Sequence, residues 1–216
     1  MTRRHWNANT HYHSLVFASL PAGASRVLDV GCGDGLLTAE LVDAGVPYVV
    51  GLDADGPVLA RARARHQGKR IEWVQGDVLE VALEPESFDA VVSVAALHHM
   101  DAAQSLQHFA RLVRPGGTVV VVGIAATGWA DLPLAAAALI ARGTLRLIHG
   151  WWEHSAPMCW PPPVTFREMQ RVSACVLPGV HYRRHLLGRY SLVWRKPRSA
   201  ASGGTFPQSN AHVPSA

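Results

Sequence analysis

Cysteine is scarce in this 216-residue chain, present only as Cys32, Cys159 and Cys175. Three scattered residues with no C-x-x-C pair argue against a disulfide framework or a thiolate zinc site, and fit a reducing cytoplasm. Long apolar runs are missing too. Leu132 to Ile140 spans about nine residues, roughly half of what a bilayer-crossing helix needs, so it reads as a buried or docking helix. The opening MTRRHWNANTHYH is polar and aromatic, without the apolar core and small-residue cleavage site of a secretion signal. Charged residues make up only 17% of the chain, with a net charge of +4. Much of that excess sits on Arg183, Arg184, Arg189, Arg195, Lys196 and Arg198, in strand-like segments and a tail. A modest surplus so placed reads as a solvated face and argues against a nucleic-acid partner.

What is present is a 49% hydrophobic composition, enough for one domain with a sizeable core. Between Arg26 and Gly123 short apolar runs alternate with helical patterns. The runs are VLDV, YVVGLD, IEWV, FDAVVSV and TVVVVGI; the helices fall over Leu36 to Ala44, Val58 to Gln67 and Ala102 to Val113. Val-rich strands separated by amphipathic helices predict a doubly wound α/β domain with a mostly parallel sheet, and ligands outside the carboxyl ends of its strands. After Gly123 the spacing predicts a helix over Ala130 to Ile148, an aromatic proline-rich loop, and a helix opened by a Thr165 and Glu168 capping box and running to about Cys175. VHYRRHLLGRYSLVWRK predicts a hairpin around Gly188 that closes the sheet edge. From Ser199 the composition predicts disorder.

The stretch VLDVGCGDGLL, Val27 to Leu37, is a glycine-rich turn at the end of the first strand. The dinucleotide fingerprint needs a third glycine later than this chain supplies it, since Gly31, Gly33 and Gly35 are evenly spaced and Leu36 stands at the fingerprint position. No Gly-Lys-Ser or Gly-Lys-Thr follows, so it is not a phosphate-binding P-loop either. Asp29 and Asp34 would repel a phosphate and favour a neutral or cationic ligand. Asp53, closing the second strand, can accept both hydroxyls of a ribose, and Asp77, just past the third, can accept from an exocyclic amine. Each aspartate alone also reads as a turn or cap residue; together, at the ends of three successive parallel strands, they outline one crevice. The ligand they outline has a ribose, an amine-bearing base and no phosphate.

These motifs, in the order VLDVGCGDG, VVGLD, VQGDV, FDAVVSVAALHHM and RLVRPGG before TVVVV, resemble a class I S-adenosylmethionine-dependent methyltransferase of the small-molecule type, over about Asn9 to Lys196. The resemblance implies a Rossmann-like, seven-stranded, mostly parallel sheet with an antiparallel C-terminal strand. It implies S-adenosylmethionine as cofactor and S-adenosylhomocysteine as product. Asp29, Gly31, Cys32 and Gly33 would border the methionine end; Asp53, with Ala54 beside it, would take the ribose; Asp77 and the Val78 backbone would take the adenine. Val94 and Ala95, in the stretch to Leu97, would close beside the methyl group, and Arg114 to Gly117 would turn the chain into the fifth strand. The expected organisation is one domain over 1–198, with 1–25 a helical lid, 124–164 a helical and aromatic insertion on the acceptor side, and 199–216 a disordered tail.

Methyl transfer from a sulfonium is an in-line displacement, and a base is needed only when the acceptor has a proton to lose. His98 and His99 follow the fourth strand, and an imidazole of near-neutral pKa suits that role, although either histidine also reads as a cap or packing residue. Tyr12 in HYH can stack on or hydrogen-bond to the cofactor, or pack as part of an ordinary N-terminal helix. Trp129, Trp151, Trp152, His154, Met158 and Trp160 read either as an acceptor pocket or as core of the insertion. The histidines have loose spacing and no H-E-x-x-H helix, so no metal site is expected. Val94 to Leu97 replace the Asp/Asn, two prolines and aromatic of exocyclic-amine methylation, and no cysteine stands where cytosine-carbon methylation needs one. The expected partner is thus a small-molecule acceptor, with no membrane partner; oligomeric state is not readable. The competing readings are a catalytically silent S-adenosylmethionine-binding protein, an RNA methyltransferase, and a nicotinamide-dependent oxidoreductase, which Leu36 disfavours.

Overall fold

The computed structural model describes residues 7–126, 138–139, 143–144, 162–185 and 187–198. Most of the helix expected over Ala130 to Ile148, the tryptophan-rich loop with His154 and Met158, and the tail from Ser199 lie outside them.

After a 3-10 turn, Thr10–Tyr12, the chain forms α1 (His13–Ser19), β1 (Arg26–Val30), α2 (Leu36–Asp43), β2 (Tyr48–Asp53), α3 (Gly56–Arg65), β3 (Ile71–Gln75) and β4 (Phe88–Val94). It continues through a second 3-10 turn, Leu97–His99, into α4 (Ala102–Leu112), β5 (Val113–Ile124), α5 (Phe166–Val176), β6 (His181–His185) and β7 (Arg189–Arg195). The seven strands form one sheet in the order β3-β2-β1-β4-β5-β7-β6. β1 to β5 pair in parallel, and β7 lies antiparallel between β5 and β6. The Rossmann-like α/β architecture expected from the sequence is therefore the observed one.

The two-residue period of the strands divides the core. Leu28, Val50, Val91, Val119 and Val121 pack with Phe109 and Leu112 of α4 and with Phe166 and Met169 of α5. Their neighbours Val27, Val49, Val92, Val120 and Val122 face the other way, onto Val16 of α1 and Leu37 and Leu41 of α2. Each large apolar side chain so buried contributes about 1.5–3 kcal/mol, which is why both faces of the central strands read as continuous Val and Leu.

Helix boundaries follow their caps. Asp55 accepts a hydrogen bond from the Val58 backbone at 2.9 Å, with a proline in the first turn, so α3 starts two residues before the apolar pattern does. Thr165 and Glu168 form the expected capping box of α5. The RPGG stretch departs from expectation. Instead of a turn leading into β5 it belongs to the strand, with Phe88 opposite Val113 and then Ala90 opposite Thr118, so the extra residues are taken up as an irregularity in the ladder. Arg114 there contacts the buried Asp89 carboxylate, which also accepts from the backbone and hydroxyl of Ser25 and the backbone of Arg26. Burial alone would raise the Asp89 pKa, but these donors hold it below the ordinary carboxylate value. That cluster ties β1 to β4 at the end of the sheet away from the carboxyl ends of the strands.

Candidate functional site

In strand order, the switch point lies between β1 and β4, whose crossovers run to opposite sides of the sheet. A parallel sheet opens a crevice there, beyond the carboxyl ends. A cavity of about 340 Å³ occupies it, bounded by the turns after β1, β2, β3 and β4, by the N-terminal segment and by the start of β7. That volume is in the range of small-molecule sites.

The glycine turn shapes one wall. Gly31, Gly33 and Gly35 all have positive φ, at 70°, 55° and 73°. Gly31 packs against Ala96, where an added Cβ would stand 2.2 Å from the alanine Cβ; a Cβ on Gly33 would meet nothing within 4 Å and would project into open space. The backbone N–H groups of Gly31 and Cys32 donate to the Leu52 carbonyl, and that of Gly33 donates to Asp53 Oδ2 at 2.8 Å. Asp53 Oδ1 accepts from Asp55. The second strand's terminal carboxylate thus fixes the first strand's turn.

Asp29 is 2% exposed and accepts from the Thr38 hydroxyl at 2.7 Å. Burial pushes its pKa up from 3.8 to about 6, against the opposing pull of Thr38 and His13. Burial, followed by the charges of Asp29 and Asp53, also pushes the Cys32 thiol up, so at neutral pH it is no thiolate nucleophile. Asp77 is exposed and caps its own turn by accepting from Leu79, while Val78 beside it is buried. Ala95 adopts φ 56° at the end of β4, a left-handed conformation costing a non-glycine residue about 1–2 kcal/mol, with its N–H held on the Val122 carbonyl.

Of the residues singled out from the sequence, Asp29, Gly31, Cys32, Gly33, Asp53, Ala54, Asp77, Val78, Val94, Ala95, His98 and His99 all border this one cavity. Tyr12 is the correction. It does not border the cavity; it is 7% exposed, packs in the α1/α2 core and lies 4.9 Å from the His185 ring. The turn that buries Tyr12 presents its neighbours Thr10 and His13 to the cavity instead. His98 is corrected in its chemistry. The residue is 6% exposed, with its ring 4.1 Å from that of His99. Burial first, then the charges of His99 and Arg189, hold its pKa down at about 4, so it is a neutral and weak base rather than one poised near neutrality.

Sequence reasoning missed Asn7, Asn9, Thr10, His13 and Arg189, which also border the cavity. Asn7 Oδ1 accepts from the backbones of Asn9 and Thr10 and so sets the turn that carries them. His13 Nδ1 donates to Glu40 Oε2 of α2 at 2.8 Å. Arg189 opens the antiparallel β7, whose first residue falls beside Ile124, the last residue of β5, and hence at the rim. No local motif marks these residues; the available signal was that an antiparallel strand begins where the parallel ones end. Among the described residues no group of three or more His, Cys, Asp and Glu side chains could hold a metal ion, and no helix is long and apolar enough to cross a membrane.

Residues 28–121 match a family described as a methyltransferase domain. An uncharacterised methyltransferase of Mycobacterium tuberculosis is 44% identical over 193 residues, covering 89% of this chain and 98% of that one. A ubiquinone biosynthesis O-methyltransferase of Klebsiella pneumoniae is 32% identical over 166 residues, covering 73% of this chain and 65% of the other. Among solved structures, an S-adenosylmethionine-dependent methyltransferase from Mesorhizobium loti superposes with a TM-score of 0.55 at 23% identity, covering 85% of this chain and 96% of that one, a likeness of fold.

Proposed function

The chain belongs to the methyltransferase domain family, and from that premise we propose that it is a class I S-adenosylmethionine-dependent enzyme that methylates an oxygen, nitrogen or carbon atom of a small organic acceptor by in-line displacement. Bound S-adenosylmethionine supplies a methyl group made electrophilic by its sulfonium. The observation that carries the reading is the convergence of Asp29, Asp53 and Asp77, from the ends of three successive strands, on one cavity beside a glycine turn.

In this reading Asp29, Gly31, Cys32 and Gly33 hold the methionine end, and the open space beside Gly33 admits it closely. Asp53, with Ala54 beside it, accepts from the ribose hydroxyls, Asp77 and the Val78 backbone receive the adenine, and Val94 and Ala95 border the reacting methyl. A ring of carboxylates suits a cofactor with an ammonium and a sulfonium and repels a phosphate-bearing one. His98, neutral at physiological pH, accepts a hydrogen bond from the acceptor; alignment rather than strong base catalysis then supplies most of the rate. Asn7, Asn9, Thr10 and His13 in the cavity wall support a lid role for the N-terminal segment. The scarcity of cysteine supports a cytoplasmic location.

Calorimetry with S-adenosylmethionine and S-adenosylhomocysteine tests the reading. Both should bind, and Asp53→Ala should weaken each by tenfold or more. No binding of either to the wild-type chain refutes the proposal, as does an Asp53→Ala chain that binds both as tightly as the wild type.

A further inference from the structure

Two hydrogen-bond acceptors border the cavity near the end of β1 with capacity to spare. Asp29 is bonded by the hydroxyl and the backbone of Thr38. An ionised carboxylate offers about four lone-pair sites, so two donors leave it unfilled. His13, the first residue of α1, is 5% exposed and borders the same cavity. Its Nδ1 donates to Glu40 Oε2 at 2.8 Å, and that bond decides the tautomer. A carboxylate has no proton to give, so Nδ1 carries the hydrogen and the neutral ring keeps its lone pair on Nε2. Nε2 meets no hydrogen-bond donor among the described residues.

The two acceptors belong to one place. His13 is near enough to Asp29 to act on its charge, as Asp53 also does. Both are braced from α2, which sends Thr38 to Asp29 and Glu40 to His13. A carboxylate and a neutral nitrogen lone pair at fixed positions, with Asp53 and Glu40 close by, suit a cation that carries several N–H donors. An ammonium has three donors and no acceptor.

Resting on the cofactor reading of this cavity, we propose that His13 Nε2 and the Asp29 carboxylate together hold the ammonium of the cofactor's methionine arm, so that the N-terminal segment reads the amino group. Both bonds are assisted by the ammonium charge, which makes them stronger than neutral ones. The cofactor has a second positive centre, its sulfonium. That centre has no N–H and cannot satisfy Nε2, so the pair selects the ammonium and fixes which way the arm lies. Glu40 acts through His13, as the positioning residue that keeps the lone pair on Nε2.

The test is calorimetry on the full chain with S-adenosylhomocysteine, with its analogue lacking only the amino group and with its analogue lacking only the carboxyl group. The chains are wild type, His13→Asn, His13→Gln and Glu40→Leu. Asparagine places its amide nitrogen where Nδ1 stands and keeps the bond to Glu40, but has nothing at Nε2; glutamine places an amide oxygen near Nε2. Wild type should prefer S-adenosylhomocysteine over the amino-lacking analogue by about tenfold or more, the size of one charge-assisted hydrogen bond. His13→Asn should lose most of that preference, Glu40→Leu part of it, and His13→Gln less than His13→Asn. The preference over the carboxyl-lacking analogue should stay the same in all four chains. An amino preference that is absent in wild type, or unchanged in His13→Asn, overturns the proposal. So does a loss that falls on the carboxyl preference, an equal loss in His13→Asn and His13→Gln, or a weakening of all three ligands that leaves their ratios as they were. An unchanged amino preference in Glu40→Leu overturns the role of Glu40. If S-adenosylhomocysteine does not bind the wild type, the cofactor reading itself falls; if it binds and the ratios do not move, the role of His13 alone falls.

Discussion

Replacing either Gly31 or Gly33 by alanine puts a side chain on a backbone of positive φ, but the two substitutions should differ in size and in kind. The left-handed conformation penalises each by about 1–2 kcal/mol. Gly33→Ala adds nothing further, since no atom lies within 4 Å of the new Cβ. Gly31→Ala sets two methyl carbons 2.2 Å apart, far inside the roughly 3.5–4 Å of an ordinary carbon contact. Ala96 has no rotamer to change, so the backbone of the β1 turn or of the segment after β4 must move, adding about 1–3 kcal/mol as overpacking does. The expected losses are thus about 1–2 kcal/mol for Gly33→Ala and about 2–5 kcal/mol for Gly31→Ala. Ala96→Gly should rescue the difference, because the next atom, Ala96 Cα, lies at an unstrained 3.6 Å. Urea unfolding of the two single variants, of Ala96→Gly and of the Gly31→Ala/Ala96→Gly double variant measures this as a double-mutant cycle, provided the m-value is constant. Equal losses for the two glycines, or additive effects of Gly31→Ala and Ala96→Gly, would refute the reasoning.

Asp29 makes stability depend on pH in a sense opposite to that of most carboxylates. Its folded pKa of about 6 exceeds the ordinary 3.8, so its contribution is fully present below the lower value and lost as pH rises through the upper one, by about 3 kcal/mol in all. Unfolding curves of the wild type and Asp29→Asn should therefore diverge between about pH 4 and pH 6, and parallel profiles would contradict the assignment. Proton NMR of the imidazole rings should show His98 titrating near 4, well below a free histidine; a midpoint near 6.5 would reinstate it as a strong base candidate.

The parallel core was legible because burial on both faces leaves a local mark, short Val-rich runs separated by helical periods. The cofactor side was legible for the same reason: Asp29, Asp53 and Asp77 each lie within two residues of the end of a strand, so topology alone carries them to one rim. The other side left no such mark. Tyr12 and His13 are adjacent in HYH, yet the 3-10 turn buries the tyrosine in the core and gives the histidine to the cavity. His98 has the residue type of a base, but its basicity is set by burial and by the charges of its neighbour His99 and of Arg189, the latter distant in sequence.

By itself the sequence determined the α/β class, the order of its strands along the chain and the acidic, glycine-lined half of the cavity, because those follow from local periodicity and from residues at strand ends. Tertiary structure alone decided that β7, the antiparallel strand already expected, lies between β5 and β6, that Arg189 thereby reaches the rim, and that Asn9, 180 residues away, holds it there. Pairing across such separations is chosen by the packing of the whole sheet, and no short window of residues encodes it.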